Sequence, residues 1–209
     1  MTVAAIVLAA GASRRMGSPK PLLPWGATTL LRWELDQLLR SCVDEIVVVT
    51  GSHADEVRRS LGDAGRYCVF NARWTQGRAG SLARGATELL APGREQPQAV
   101  VVVNVDQPTR HDIVDRLVAE LDGSGAQVVQ PSHGGKGGHP VVIAGSLLGE
   151  LAAIDEATLG LRALLDRHPP HSVAMDDEPV VRLDLNTPET LDEARRLLGV
   201  VLPGGGGGS

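Results

Sequence analysis

An α/β fold, a mostly parallel sheet with helices on both faces, is what this sequence predicts, and three observations predict it. Short β-branched runs alternate with longer segments of helical periodicity along most of the chain. One run, Ala99 to Val105, is apolar almost throughout, as expected of a central strand covered on both sides. The hydrophobic share of 43% suffices for a full core, and 209 residues suit one domain of ordinary size.

The elements follow in order. Residues 3–9 read as the first strand. Leu30, Leu31, Leu35, Leu38 and Leu39 recur at helical spacing behind Thr28 and Thr29, which predicts a helix over 28–41. Glu45 to Thr50 is a strand closed by Gly51, followed by a helix over 53–61 and a short strand from Tyr67 to Phe70. Ser81 to Leu90 is helical, with Pro92-Gly93 beyond its end. After the strand 99–105 come a helix over 110–121 and a strand over 126–130. The run from His133 to Gly138 reads as a mobile loop by composition. Then follow a strand at 141–143, helices at 146–152 and 158–167, short strands at 172–175 and 180–183, and a last helix from Pro188 to Leu198 with proline in its first turn. Gly204 to Ser209 is a pure Gly/Ser run, a linker tail outside the domain of residues 1–203.

Composition narrows the function. A formal charge of −5 with no basic stripe argues against nucleic acid and favours a small anion held in a local cationic pocket. With three Trp, one Tyr and one Phe, base recognition is not expected to rest on stacked aromatic rings. No apolar run reaches the ~18–20 residues of a membrane span, so a cytoplasmic protein is expected. Cys42 and Cys68 lack metal-ligand spacing and read as reduced, buried thiols, and the scattered histidines suggest no zinc site.

The strand 3–9 opens into Ala10-Gly11-Ala12-Ser13, followed by Arg14, Arg15 and Lys20 with Gly17 and Pro19 between them. Backbone N–H groups of a small-residue loop offer themselves to an anion, and three cations stand beside them, so this loop is expected to wrap nucleotide phosphates. It is not a P-loop, because Ser18-Pro19 intervenes between Gly17 and Lys20, and the dinucleotide fingerprint fails at its second glycine. Ligands of open α/β sheets bind beyond the carboxyl ends of strands. Asp106-Gln107-Pro108 stands at one such end, where Asp106 serves either as a Mg²⁺ ligand or as a turn and cap residue.

The order Leu-Ala-Ala-Gly-x-Ser-x-Arg-Met-Gly-x-Pro-Lys over residues 8–20 resembles the signature of nucleotidyltransferases of the MobA/MocA type. Asp106-Gln107-Pro108 and Asp184-Leu185-Asn186-Thr187-Pro188 resemble two further family motifs, and the likeness spans residues 3 to about 199. Asn186 stands where the family often has a second aspartate. The resemblance implies a single three-layer Rossmann-like domain. It places Leu8, Ala9, Ala10, Gly11, Ala12, Ser13, Lys20, Asn71, Gly80 and Ser81 at the nucleotide, with Arg15, Lys20 and Asp106 catalytic. It implies Mg²⁺ or Mn²⁺ on Asp106 and Asn186, with Asp184 the competing ligand and capping of the last helix the other use of Asn186-Thr187-Pro188. Gly138-His139-Pro140 matches a family motif beside the acceptor, which assigns His139 to acceptor binding; Lys136 is read as an exposed loop lysine. Trp74 and Gly77 share a spaced segment with Asn71 and Ser81, and Trp74 is read as a packing residue. Ala10, where guanylyl enzymes usually carry glycine, leans the expected substrate to CTP and the acceptor to molybdopterin. A molybdenum hydroxylase or its maturation chaperone is the expected downstream partner. GTP, or a sugar phosphate or phospholactate acceptor, is the alternative, and a non-catalytic nucleotide-binding regulator is another.

Overall fold

The computed structural model describes residues 1–12, 18–157 and 160–203. Its strands are β1 (Val3–Ala9), β2 (Pro24–Trp25), β3 (Thr28–Thr29), β4 (Glu45–Thr50), β5 (Cys68–Phe70), β6 (Ala99–Asn104), β7 (Val128–His133), β8 (Lys136–Gly137), β9 (Val141–Ala144) and β10 (His171–Ala174). The α-helices are α1 (Leu30–Leu38), α2 (Ala54–Ser60), α3 (Arg78–Leu89), α4 (His111–Ser124), α5 (Leu148–Ala152), α6 (Leu161–Arg167) and α7 (Pro188–Leu197).

The main sheet runs β10-β7-β9-β6-β1-β4-β5, with β8 paired to β7. The pairs β1–β4, β1–β6, β4–β5 and β7–β10 are parallel; β9 is antiparallel to both neighbours and β8 to β7. Alternation along β1 divides the core. Val3, Ala5, Val7 and Ala9 face the layer of α1, α4 and α7, whereas Ala4, Ile6 and Leu8 face α3, α5 and α6. Both faces are therefore covered, which is why β1 and β6 are buried throughout. Chain order leaves β1 toward β4 and β5 on one side and returns to β6 on the other. That reversal opens the crevice at the carboxyl ends of β1 and β6, where Leu8 pairs with Asn104.

Four expectations need correction. Residues 28–29 form a strand against Pro24–Trp25, and the helix starts at Leu30 because the Thr29 hydroxyl accepts from Arg32 N–H and caps it. The stretch 133–138 is a β-hairpin: His133 pairs with Lys136 across Gly134 (φ 57°) and Gly135 (φ 74°), the two left-handed residues a type I′ turn needs. Residues 179–182 form a 3₁₀ turn rather than a strand. Cys42 is exposed and Cys68 only half-buried, not the buried thiols expected from composition. Among the described residues no helix is long and apolar enough to cross a membrane.

Candidate active site

Lys20, Asp106 and Asn186 meet at the crevice. Lys20 opens a short 3₁₀ turn, Lys20–Leu22, held between Pro19 and Pro21. Asp106 follows the end of β6, where Gln107 N–H donates to the Asn104 carbonyl and Val105 N–H to the Leu8 carbonyl. Asn186 is brought over β6 by Leu185, whose N–H donates to the Asp106 carbonyl. The Lys20 ammonium then donates to Asp106 Oδ2 and to Asn186 Oδ1, each at 2.9 Å. Two hard oxygens from chain segments 80 residues apart thus converge on one cation position. A magnesium or manganese ion held by few protein ligands, with phosphate and water completing its shell, suits such a pair. Among the described residues no three His, Cys, Asp or Glu gather, so protein oxygens alone form no closed cage.

The residues from Asp184 to Pro188 take separate places in the structure. Thr187, not Asn186, caps α7: its hydroxyl accepts from Thr190 N–H, and the Thr190 hydroxyl accepts from Thr187 N–H. Asp184 Oδ1 accepts from the Gln107 side-chain amide, whose oxygen accepts from Asn104. Asp184 thereby braces the turn that carries Asp106.

A pocket of about 580 Å³ surrounds this centre. Of the residues expected at a nucleotide, Leu8, Ala10, Gly11, Ala12, Lys20 and Ser81 line it, together with Asp106 and Asn186. Ala9 points into the opposite core layer. Gly80 lies inside α3 and off the pocket wall. Asn71 is buried; its amide donates to the Ser81 hydroxyl at 3.0 Å and its oxygen accepts from Arg73 N–H at 2.9 Å. Its place is to orient Ser81 and the 71–77 turn. Ser13 and Arg15 lie outside the described residues.

Three polar wall residues, besides Pro21 and Val105, escaped the sequence reading. Asn104 is polar at the end of an apolar strand, a signal that was legible. Thr75 and Arg78 had no such signal. Trp74 lines the wall as well as packing, and its position is set by Gly51: a Cβ there would stand 2.6 Å from both Trp74 Cβ and the Ala10 carbonyl. His139 lies just off the wall. Burial lowers its proton affinity, Arg78 and Arg182 push the same way, and Asp184 and Asp106 oppose. The sequence reading also missed Glu34, a fully buried carboxyl on α1. Burial, and then the charge of Asp106, raise its pKa well above the usual range. Neither of its oxygens has a hydrogen-bond partner among the described residues.

Residues 5–173 match the model of the MobA-like NTP transferase domain. The chain belongs to that family. It is 27% identical over 192 residues to the molybdenum cofactor cytidylyltransferase of Escherichia coli (strain K12), covering 91% of this chain and 94% of the relative. It is 31% identical over 208 residues to the molybdenum cofactor guanylyltransferase of Rhizobium leguminosarum bv. trifolii (strain WSM2304), covering 94% and 93%. A Mycobacterium tuberculosis H37Rv protein solved in complex with manganese superposes with a TM-score of 0.70 at 26% identity, over 96% of this chain and all of that one (100%). Together these make the chain a member of a nucleotidyltransferase family and leave the choice of base to the site itself.

Proposed function

We propose that this protein transfers the cytidylyl group of CTP to the phosphate of a molybdopterin-type acceptor and releases pyrophosphate. The observation that carries this reading is the convergence of Asp106 and Asn186 on one cation position, within a pocket that begins at the Ala10–Ala12 loop. An acceptor phosphate oxygen attacks the α-phosphorus; the new P–O bond forms as the bond to the bridging oxygen breaks, and pyrophosphate leaves with the electron pair. The nucleophile is already ionised, so the reaction needs charge neutralisation and alignment more than a base.

The backbone of residues 10–12 cradles phosphate, Ser81 contacts the nucleotide, and the Lys20 ammonium neutralises charge that shifts toward the leaving group. Arg15, outside the described residues, is assigned to the same charge. Asp106 and Asn186 would hold Mg²⁺ or Mn²⁺ in place of the Lys20 ammonium that bridges their oxygens in the structure, and the ion when bound would supply further neutralisation of phosphate oxygens. His139, neutral because its proton affinity is depressed, faces the acceptor as a hydrogen-bonding group rather than a cation. The lean to CTP rests on Ala10, whose carbonyl accepts from Ser52 N–H at 3.1 Å and which lines the pocket. A molybdenum hydroxylase, or the chaperone that loads it, is the assigned recipient of the product.

The test is pyrophosphate release with Mg²⁺, molybdopterin and each of CTP, GTP and UTP, in wild type and Asp106→Ala. Release with CTP that Asp106→Ala abolishes supports the reading. Release with GTP alone would remove the cytidylyl assignment. Tight nucleotide binding with no release for molybdopterin, a sugar phosphate or phospholactate would make the protein a nucleotide-binding regulator.

A further inference from the structure

Two cations at and near the pocket are left unused by the nucleotide reading. Arg78, the first residue of α3, lines the pocket wall beside Trp74 and Thr75. It makes no hydrogen bond or ion pair with any described residue, unlike Arg32, Arg84, Arg94 and Arg110, each of which has a carboxylate. Arg182 ends the 3₁₀ turn of residues 179–182, and among the described residues its guanidinium donates only to the Gly137 carbonyl.

The hairpin arm and this turn are zipped together. His139 N–H donates to the Val181 carbonyl at 2.8 Å, and a Cβ on Gly138 would lie 2.3 Å from that same oxygen, so only glycine allows the approach. Two residues beyond Val181 the chain reaches Leu183, and from there Leu185 bonds the Asp106 carbonyl. Arg182 and His139 are therefore fixed beside the end of β6. Val141 of β9 pairs with Val102, which sets His139 near the end of β6, and Arg78 lines the pocket wall there with Asn104; the charges of Arg78 and Arg182 both act on His139.

Nucleotidyl transfer brings two anions together, and the site residues nearest the reacting atoms are already committed. Lys20 is assigned to the nucleotide phosphates, and Gln107 occupies Asp184. A second anion then needs cations of its own, and the planar guanidinium fork suits phosphate. We propose that Arg78 and Arg182 form the subsite for the anionic group of the acceptor, a phosphate monoester. This rests on the nucleotidyl-transfer reading and names the residues that receive its second substrate.

The experiment measures binding of inorganic phosphate by titration calorimetry. Wild type, Arg78→Gln, Arg78→Lys and Arg182→Gln are each saturated with Mg²⁺ and the non-transferable analogue α,β-methylene-CTP, or its GTP counterpart. Circular dichroism confirms that each variant folds; Arg78 is exposed and its side chain has no ion-pair partner among the described residues, so its variants carry little risk to the fold. Phosphate affinity is expected to fall about tenfold or more in Arg78→Gln and Arg182→Gln and to recover in part in Arg78→Lys, as a charge-assisted contact requires. Analogue affinity is expected to stay within about threefold in Arg182→Gln, a residue off the pocket wall. Phosphate affinity unchanged in both glutamine variants, analogue affinity falling in step with phosphate in Arg182→Gln, or no saturable phosphate binding in wild type would each overturn the subsite. If neither analogue binds wild type, the nucleotide reading itself has failed; phosphate titration of the nucleotide-free protein then still decides whether the arginines bind an anion.

Discussion

Lys20 and Glu34 show how single residues set the balance of charge around Asp106. The Lys20 ammonium donates to Asp106 and Asn186 together, so replacing it removes the counter-charge of the Asp106 carboxylate and a donor to the Asn186 amide oxygen. Lys20→Met is therefore expected to lower kcat by roughly 10²–10³-fold, the usual cost of losing a preorganised charge at a developing anion, as measured by pyrophosphate release. An effect under about threefold would remove Lys20 from the chemistry. Glu34 acts in the opposite sense. With its pKa held above the ordinary 4.5, the folded protein keeps the proton while the unfolded chain releases it. The folded state then binds more protons than the unfolded one, and stability falls as pH rises above about 4.5 toward the folded pKa. Glu34→Leu removes an unsatisfied buried carboxyl and should stabilise by about 1–3 kcal/mol near pH 8, with a smaller gain near pH 4.5. Urea denaturation at the two pH values measures this; equal gains at both would show that Glu34 does not titrate with folding.

At the scale of elements, the site depends on close backbone approaches. Gly51, at the end of β4, lets the turn bearing Trp74 lie against the Ala10 carbonyl. Gly51→Ala drives a methyl into both and should destabilise by about 1–3 kcal/mol. It should also weaken nucleotide binding by displacing Trp74 from the wall, and calorimetry with CTP tests that part; unchanged affinity would mean that the wall does not shape the nucleotide site. Such dependencies explain what the sequence could reveal. Alternation and apolar runs placed β1, β4 and β6 within a residue of their observed ends, because burial on both faces dictates composition directly. Asp106 and Lys20 were legible from their positions after strand ends. The turn at 179–182 was not, since its apolar Val180 and Val181 pack into the core as a strand's residues would. The hairpin at 134–135 was read as a mobile loop because paired glycines signal a tight turn only when the flanking strands are also recognised. Arg78 was invisible in sequence: a guanidinium on a helix is ordinary, and only its lack of a carboxylate beside a pocket sets it apart.

For the whole molecule, the crevice ties together the N-terminal loop, the end of the central strand and the start of the last helix, at positions 20, 106 and 186. The unfolded chain brings none of these together, so a ligand that spans them binds the folded state alone. At 100 times its Kd such a ligand stabilises by about 2.7 kcal/mol. In a chain of this length each kcal/mol moves Tm by roughly 2–4 °C, so CTP with Mn²⁺ should raise Tm by about 5–10 °C. Because Lys20 already neutralises Asp106, the ligand-free fold does not require a divalent ion, and a chelator alone should leave Tm within about 1 °C. The metal instead acts with the nucleotide. Chelation in the presence of CTP should cut the shift by more than half, and Asp106→Ala should lose the metal-dependent part while keeping the remainder carried by the loop amides. A nucleotide shift of the same size with and without Mn²⁺ in wild type would separate the ion from Asp106 and Asn186. A shift that vanished in Asp106→Ala even without Mn²⁺ would instead mean that the aspartate organises the nucleotide pocket directly, through the turn it shares with Asn104 and Gln107.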